Sequence, residues 1–178
     1  MRMIKHIDGD LIKLAKEGEF DVIAHGANCQ NFMGAGIAPQ MAKAFECDQF
    51  LMEGPNYKGD INKLGTINYE SIMQVIKKPI TIGGATEMVP DFGGKELIVI
   101  NAYTQFHYGK NHKDGVSSPV DYEAIIMCMR KINHIFKGKH IGLPLIGAGL
   151  AGGDWNRIEK IIEEELTDME VTIVHYKP

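Results

Sequence analysis

Short apolar runs that suit β-strands alternate along this chain with segments that have the spacing of amphipathic helices. The clearest helical segments are residues 121–136 and 154–166, and Asp154 is placed to cap the second of them. Alternation of this kind predicts an α/β fold with a mainly parallel sheet covered on both faces. The predicted strands are residues 3–7, 20–25, 66–69, 97–103, 140–145 and 171–176.

The length and composition of the chain indicate one domain over residues 1–178. Hydrophobic residues make up 44% and charged residues 24% of the chain, both near globular averages. No apolar run approaches the length of a bilayer span, and no apolar signal core follows Met1, so we expect no membrane partner. The three cysteines are scattered without CxxC spacing. That pattern argues against a disulfide framework and a metal site, and it favours the reducing cytoplasm.

The charge pattern argues against binding to duplex nucleic acid. The formal net charge is −4, and the longest basic run is Lys77-Lys78. If the chain binds a phosphate, backbone amides must therefore do much of the binding. The pattern indicates no cofactor, and we expect a monomer.

A first glycine loop, residues 25–38, leads from a predicted strand into a predicted helix over residues 37–45. Pro39 suits the first turn of that helix, so the preceding glycines lie at a helix N-terminus. Glycine lets the backbone approach a ligand closely, and a helix N-terminus offers free N–H groups. A tight turn that needs positive φ would account equally well for one Gly-x-Gly pair.

A second glycine loop, residues 144–155, has the same relation to the last helix. Gly147, Gly149 and Gly152 match the GxGxxG pattern of dinucleotide-binding folds. That pattern belongs to the first strand–helix turn, however, and an acidic residue should end the next strand. Here one strand remains, and it ends in His175-Tyr176. Two such loops instead predict one ligand held between them at the carboxyl ends of neighbouring strands.

Four motifs in this order resemble the macro domain family over nearly the whole chain. They are Gly9-Asp10-Leu11-Ile12, Asn28 six positions before Gly34-Ala35-Gly36-Ile37-Ala38, Ile146-Gly147-Ala148-Gly149-Leu150, and a closing strand that ends in Tyr176. The resemblance implies a three-layer α/β/α sandwich with a mixed, mainly parallel central sheet. It also implies a cleft that binds ADP-ribose or a derivative of it.

The resemblance implies a role for each motif. Asp10 would accept a hydrogen bond from the adenine amino group, with the Leu11 backbone beside it. Asn28 would contact the distal ribose, and Tyr176 would pack against adenine. The two loops would enclose the diphosphate through Ala35, Gly36 and Ile37 on one side and Gly147, Ala148, Gly149, Leu150 and Ala151 on the other.

Simpler interpretations exist for two of these residues. Asp10 could cap a helix that begins near Leu11, since aspartate is a preferred N-cap. Tyr176 could be a half-buried aromatic residue of a strand. Cys29 lies in the first loop without a cationic neighbour in sequence, so we expect it to be inert.

His25 is the residue that suggests catalysis. It lies at the end of a predicted strand, three residues before Asn28, and a neutral imidazole there could act as a base, an acid or a nucleophile. A structural histidine is the alternative. A His-Gly-x-Asn sequence before Gly-x-Gly-Ile-Ala is similar to a macro domain subgroup that includes ADP-ribose 1″-phosphate phosphatases and hydrolases of glutamate-linked ADP-ribose.

Within that subgroup, the resemblance implies that the hydrolases use a lysine near the end of the strand at residues 97–103 and an aspartate in the second loop. This chain has Tyr103-Thr104 and Ala151 at those places. We therefore expect a phosphatase with His25 and Asn28 as its catalytic residues. A hydrolase that removes ADP-ribose from acidic side chains and a non-catalytic ADP-ribose reader are the alternatives. Residues 77–95, which are rich in glycine and proline, are predicted to form an extended loop or an irregular hairpin.

Overall fold

The computed structural model describes residues 4–50, 58–108 and 119–178. Within them, six strands form one sheet in the order β1-β6-β5-β2-β4-β3, and only the β3–β4 pair is antiparallel. The strands are β1 (Lys5–Gly9), β2 (Val22–Asn28), β3 (Ile67–Ile82), β4 (Ala85–Gln105), β5 (His140–Leu143) and β6 (Glu170–Tyr176). The mixed, mainly parallel sheet predicted from the sequence is confirmed.

Helices cover both faces of this sheet. They are α1 (Leu11–Lys16), α2 (Ala38–Phe45), α3 (Tyr122–Ile135) and α4 (Trp155–Glu165), with short 3₁₀ turns at Cys47–Gln49 and Ile61–Lys63. One apolar core includes buried residues of α3 and α4, and the other includes buried residues of α1 and α2. The three-layer α/β/α sandwich is therefore confirmed. None of the helices in the described part of the chain is long and apolar enough to cross a membrane.

The alternation of side chains along β2 divides its residues between the two cores. Val22 and Ala24 belong to the core under α3 and α4, whereas Ile23 belongs to the core under α1 and α2. Because successive side chains of a strand point to opposite faces, His25 lies on the same face as Ile23. The position of a residue along β2, odd or even, thus decides which of the two helix layers its side chain contacts.

Helix capping follows the sequence closely. Asp10 caps α1, and its Oδ1 accepts hydrogen bonds from the amides of Ile12 at 3.0 Å and Lys13 at 3.1 Å. The Asp154 carboxylate caps α4 by accepting a hydrogen bond from the Asn156 amide at 3.0 Å. A side chain at an N-cap that accepts such bonds typically contributes about 1 kcal/mol to stability.

Residues 77–95 form part of a long hairpin, which is the second of the two predicted alternatives, and its register shifts between Gln74 and Ile76. Its turn is Gly83-Gly84, and both glycines have positive φ, at 59° and 82°, as a type I′ turn requires. The turn pairs Ile82 with Ala85, so Pro79 opposite Met88 occupies a position where the backbone N–H would point away from the partner strand. A proline at this position costs no hydrogen bond between the two strands, and this is why Pro79 is compatible with the pairing.

Candidate ligand-binding cleft

A cleft of about 320 Å³ lies at the carboxyl ends of β2, β4 and β5, between the two glycine loops. Because parallel strands direct their carboxyl ends to one edge of the sheet, both loops emerge on the same side. Of the residues predicted for the site, those that line the cleft are Asn28, Ala35, Gly36, Ile37, Gly147, Gly149, Leu150 and Ala151. The sequence thus predicted the central part of the cleft.

The described residues that line the cleft include no charged side chain. Polar side chains are contributed by Asn28, Gln105 and Tyr108. An anion in this cleft would therefore be stabilised mainly by backbone N–H groups and by the positive end of α2, which begins beside it.

Backbone amides on both sides of the cleft are available for a ligand. The amides of Gly36 and Ile37 on one loop, and of Gly149 and Leu150 on the other, donate no hydrogen bond within residues 4–50, 58–108 and 119–178. Gly36 has a φ of 64°, and a Cβ atom added to Gly36 or Gly149 would meet nothing within 4 Å. At Gly36 the positive φ itself favours glycine, whereas at Gly149 neither a positive φ nor a neighbouring atom in the described structure requires it, and glycine there keeps the cleft open.

Asn28 holds the first loop in shape. Its Oδ1 accepts hydrogen bonds from the amides of Gln30 at 3.1 Å and Phe32 at 3.2 Å, and its Nδ2 donates one to the Phe32 carbonyl at 2.7 Å. Asn28 therefore lines the cleft as predicted, while its amide group organises the loop.

Lys63 also stabilises the first loop, by a hydrogen bond from its buried side chain, and sequence reasoning missed it. Its side chain is buried, its Nζ donates a hydrogen bond of 2.6 Å to the Asn31 Oδ1, and Asn31 has a φ of 56°. The Nζ atom also lies 5.4 Å from the centroid of the Tyr103 ring. Burial lowers the pKa of Lys63, although nearby Cys29 and Asp60 oppose this shift. No distinctive sequence pattern marks Lys63, which is the last residue of the 3₁₀ turn at Ile61–Lys63.

The second loop is held by its own backbone. The Gly153 amide donates a hydrogen bond of 2.8 Å to the Gly147 carbonyl, and the Gly152 amide donates one of 3.0 Å to Gly149. A Cβ atom on Gly153 would lie 2.5 Å from the Gly147 carbonyl oxygen. Gly147 has a φ of 74°, and a Cβ atom added to it would lie 3.0 Å from the Val120 Cγ2. The Ala148 side chain does not line the cleft, and its amide donates to the Leu145 carbonyl.

The residues predicted to bind adenine lie together at a neighbouring place. Tyr176 pairs with Gly9 across β6 and β1, so it lies close to Asp10, and its side chain is 65% exposed. The Leu11 side chain belongs to the core, while the Leu11 amide donates no hydrogen bond to a described residue. Asp10, Leu11 and Tyr176 are not among the residues that line the central cleft. Asp10 instead borders a separate pocket of about 280 Å³ between α1 and α2.

His25 departs from the position predicted for it. The sequence placed it at the end of a strand and facing the ribose, but β2 continues to Asn28 and the His25 side chain is fully buried. Its Nε2 lies 2.6 Å from the Asn101 Oδ1 and 3.8 Å from the Cys47 Sγ. The Asn101 Nδ2 in turn donates to the Cys47 carbonyl at 2.8 Å. The expectation that His25 points at the ligand is therefore wrong for this conformation.

Burial sets the protonation states of the titratable groups near the cleft. It lowers the pKa of His25, against the opposing effect of the hydrogen bond to Asn101. The imidazole is therefore neutral near pH 7. Burial also raises the pKa of Cys29 to about 11, despite the nearby Lys63. A thiol of this kind is not a nucleophile at neutral pH.

Two exposed aromatic rings border the mouth of the cleft. Phe32 is 48% exposed and Tyr108 is 45% exposed, and their ring centroids lie 4.5 Å apart with an interplanar angle of 36°. Both residues line the cleft. The pair presents an apolar surface to whatever occupies this end.

The comparison with a protein of Enterobacteria phage T4 shows the family of this chain. That protein, an uncharacterised 17.5 kDa protein of the tk-vs intergenic region, is 32% identical over 185 residues, which cover 99% of this chain and 98% of the phage protein. The chain belongs to the family of this phage protein. No family model matches the chain.

Solved structures identify the fold. The macrodomain of Thermus aquaticus DarG is 18% identical and covers 100% of both chains with a TM-score of 0.57. Thermosipho africanus DarTG in complex with ADP-ribose is 18% identical and covers 97% of this chain and 41% of its own, with a TM-score of 0.56. This is the macro domain fold. The chain is also similar to a Bacteroides thetaiotaomicron protein of unknown function, with 21% identity, 98% coverage of both chains and a TM-score of 0.66.

The macro domain fold accounts for the position of the cleft. In this fold the two glycine loops follow β2 and β5, which are neighbours in the sheet, and the helices that follow these loops lie on opposite faces. A ligand between the loops therefore meets both layers of helices at once.

Proposed function

We propose that this macro domain binds ADP-ribose, or a close derivative of it, in the cleft between its two glycine loops. The observation that carries the proposal is the set of free amides at Gly36, Ile37, Gly149 and Leu150 around a cleft whose described lining has no charged side chain. A diphosphate is an anion that such amides and the N-terminus of α2 can bind. A structure with the same fold, that of DarTG, is in complex with ADP-ribose.

In this proposal the ligand lies across the carboxyl edge of the sheet. The diphosphate occupies the space between the loops, and the distal ribose lies against the surface formed by Asn28 and Phe32. The adenosine extends toward Asp10 and Tyr176, which lie together at the ends of β1 and β6. The Asp10 Oδ1 caps α1, so the second carboxylate oxygen would accept a hydrogen bond from the adenine amino group.

Two observations bear on catalysis, and they point in different directions. The sequence around His25 and Asn28 favours a phosphatase that acts on ADP-ribose 1″-phosphate. The burial of His25 favours a binding protein, and so does the lack of a cation among the described lining residues, since none of these residues offers a counter-charge to a phosphate at the distal ribose. We therefore propose binding as the primary activity, and phosphate release is the alternative that product analysis tests.

Ligand titration tests the binding proposal. We expect ADP-ribose to bind with a stoichiometry of one and to raise the unfolding temperature, and NAD and AMP to bind more weakly. The measurement is isothermal titration calorimetry, supported by thermal unfolding. Absence of saturable binding at millimolar ADP-ribose would overturn the proposal.

Product analysis separates the candidate activities. The protein is incubated with ADP-ribose 1″-phosphate and, separately, with a peptide that is ADP-ribosylated on glutamate, and free phosphate and free ADP-ribose are measured. Phosphate release that is lost in His25→Ala supports the phosphatase. Release of ADP-ribose from the peptide supports the hydrolase, and inactivity on both substrates with intact binding supports a reader.

A further inference from the structure

Two histidines on neighbouring strands face each other at the β1 edge of the sheet. The His6 Nδ1 and the His175 Nε2 are hydrogen-bonded at 2.9 Å, and the two ring centroids are 5.2 Å apart. One of these nitrogens carries the proton of this bond, and an ion that binds both nitrogens would displace that proton to solvent. His6 is on β1 and His175 on β6, which pair in parallel. The proposed binding of ADP-ribose uses neither imidazole.

A carboxylate orients one of these rings. The Glu159 Oε1, on α4, lies 3.4 Å from the His6 Nε2. A neutral His6 that donates its Nε2–H to Glu159 presents the Nδ1 lone pair to His175. Metal-binding histidines usually have this arrangement, in which the second ring nitrogen donates to a carboxylate.

We propose that His6 and His175 form a two-imidazole site for a divalent transition metal of the Cu²⁺ or Ni²⁺ type, with Glu159 as a positioning residue. Two nitrogen ligands that are each about 2.1 Å from an ion and at right angles to each other are about 3.0 Å apart, close to the separation of the two imidazole nitrogens. Right angles are the geometry that Cu²⁺ and Ni²⁺ prefer. Tetrahedral Zn²⁺ needs a wider separation of about 3.4 Å between the nitrogens.

The surroundings allow an ion to enter. The side chains of His6 and Glu159 are 36% and 33% exposed, so solvent reaches the pair and water can complete the coordination. The Asp8 carboxylate is hydrogen-bonded to the Lys177 Nζ at 2.9 Å, and this bond lowers the pKa of Asp8. No group of three or more His, Cys, Asp or Glu side chains in the described part of the chain could hold a metal. The described residues thus offer the ion two protein ligands at most, and water would supply the others.

The test is metal titration of protein that carries no polyhistidine tag and has been treated with a chelator. We expect one Cu²⁺ or Ni²⁺ per chain by calorimetry, a rise in unfolding temperature, and a Cu²⁺ electron paramagnetic resonance spectrum with two nitrogen ligands. His6→Ala and His175→Ala should each weaken Cu²⁺ binding by at least about tenfold. His134→Ala, on the exposed face of α3, is the matched control and should change nothing.

Glu159→Gln distinguishes the positioning role. We expect it to weaken Cu²⁺ binding by about tenfold while the spectrum still shows two nitrogens, because the ligands are unchanged. Circular dichroism verifies that each variant is folded, and His175→Gln provides a second substitution at that position. Binding of Cu²⁺ that is the same in wild type, His6→Ala and His175→Gln would overturn the proposal, as would no binding at millimolar metal.

Discussion

The two glycine loops enclose the same cleft but are stabilised in different ways. The first loop is held by polar side chains, those of Asn28 within the loop and Lys63 beneath it. The second loop is held by contacts between its own backbone atoms, of which the closest involve Gly147 and Gly153. Substitutions that remove polar side chains should therefore alter the first loop, whereas substitutions that add a side chain to a glycine should alter the second.

This difference separates two uses of glycine in one molecule. Gly153 is required by the fold, because a side chain would collide with a neighbouring carbonyl oxygen. Gly149 has open space beside it in the described structure and no positive φ. Its absence of a side chain is then best explained by a ligand that approaches the backbone.

The largest effect is expected from Gly149→Val on ligand binding. A branched side chain would occupy the path of the diphosphate, and we expect the affinity for ADP-ribose to fall on the order of 100-fold, about 3 kcal/mol. Calorimetry measures the affinity, and circular dichroism should show a native fold. An unfolded variant would mean that Gly149, like Gly153, serves the turn.

Gly153→Ala should reduce stability instead. The Cβ atom would lie 2.5 Å from the Gly147 carbonyl oxygen, and such overpacking costs about 1–3 kcal/mol of the free energy of unfolding. Urea denaturation measures this quantity, and Gly149→Ala is the matched control, expected to change it by less than about 0.5 kcal/mol. Equal stability of the two variants would contradict the contrast between these glycines.

Lys63→Met tests the support of the first loop by a side chain. Methionine keeps most of the volume but loses the hydrogen bond to Asn31, and a hydrogen bond of a charged group contributes about 1.5–3 kcal/mol. Removal of a buried cation offsets part of this loss, so we expect a small change in stability and a several-fold weaker affinity for ADP-ribose. A double-mutant cycle with Asn31→Ala measures the coupling. Strict additivity of the two substitutions would show that the bond does not position the loop.

The smallest effect concerns His25 and pH. Burial lowers the pKa of His25 in the folded protein below its usual 6.5, so the unfolded chain binds the proton more readily. The free energy of unfolding should then be unaffected by His25 above about pH 6.5 and should fall below it, by at most about 1.4 kcal/mol per pH unit. His25→Gln should remove this part of the pH dependence between pH 7 and 5, and His134→Gln should not.

The sequence predicted the sheet and the central cleft because each depends on local patterns. Apolar runs located all six strands, and the glycine loops located the residues that carry the free amides. His25 was misplaced because its strand was predicted to end three residues too early. Inside a strand, alternation directs this side chain to the core, whereas at the end it would have faced the cleft.

Two other features depend on contacts that local patterns do not contain. Lys63 reaches Asn31 across 32 positions of the chain, and nothing near either residue indicates their hydrogen bond. The hairpin of β3 and β4 contains many glycines and prolines, which usually mark loops. Only the pairing register shows that Pro79 and Pro90 both occupy positions where a strand needs no donor.

These prolines also affect how the molecules behave at high concentration. β3 is 16 residues long and lies at the edge of the sheet, and an edge strand of that length is a template on which strands of other molecules can add and start fibres. Pro79 interrupts the outward row of donors on β3, and Pro90 does the same on β4. The hairpin exposes apolar side chains such as Phe92, and we expect the missing donors at Pro79 and Pro90 to hinder the addition of further strands to its backbone.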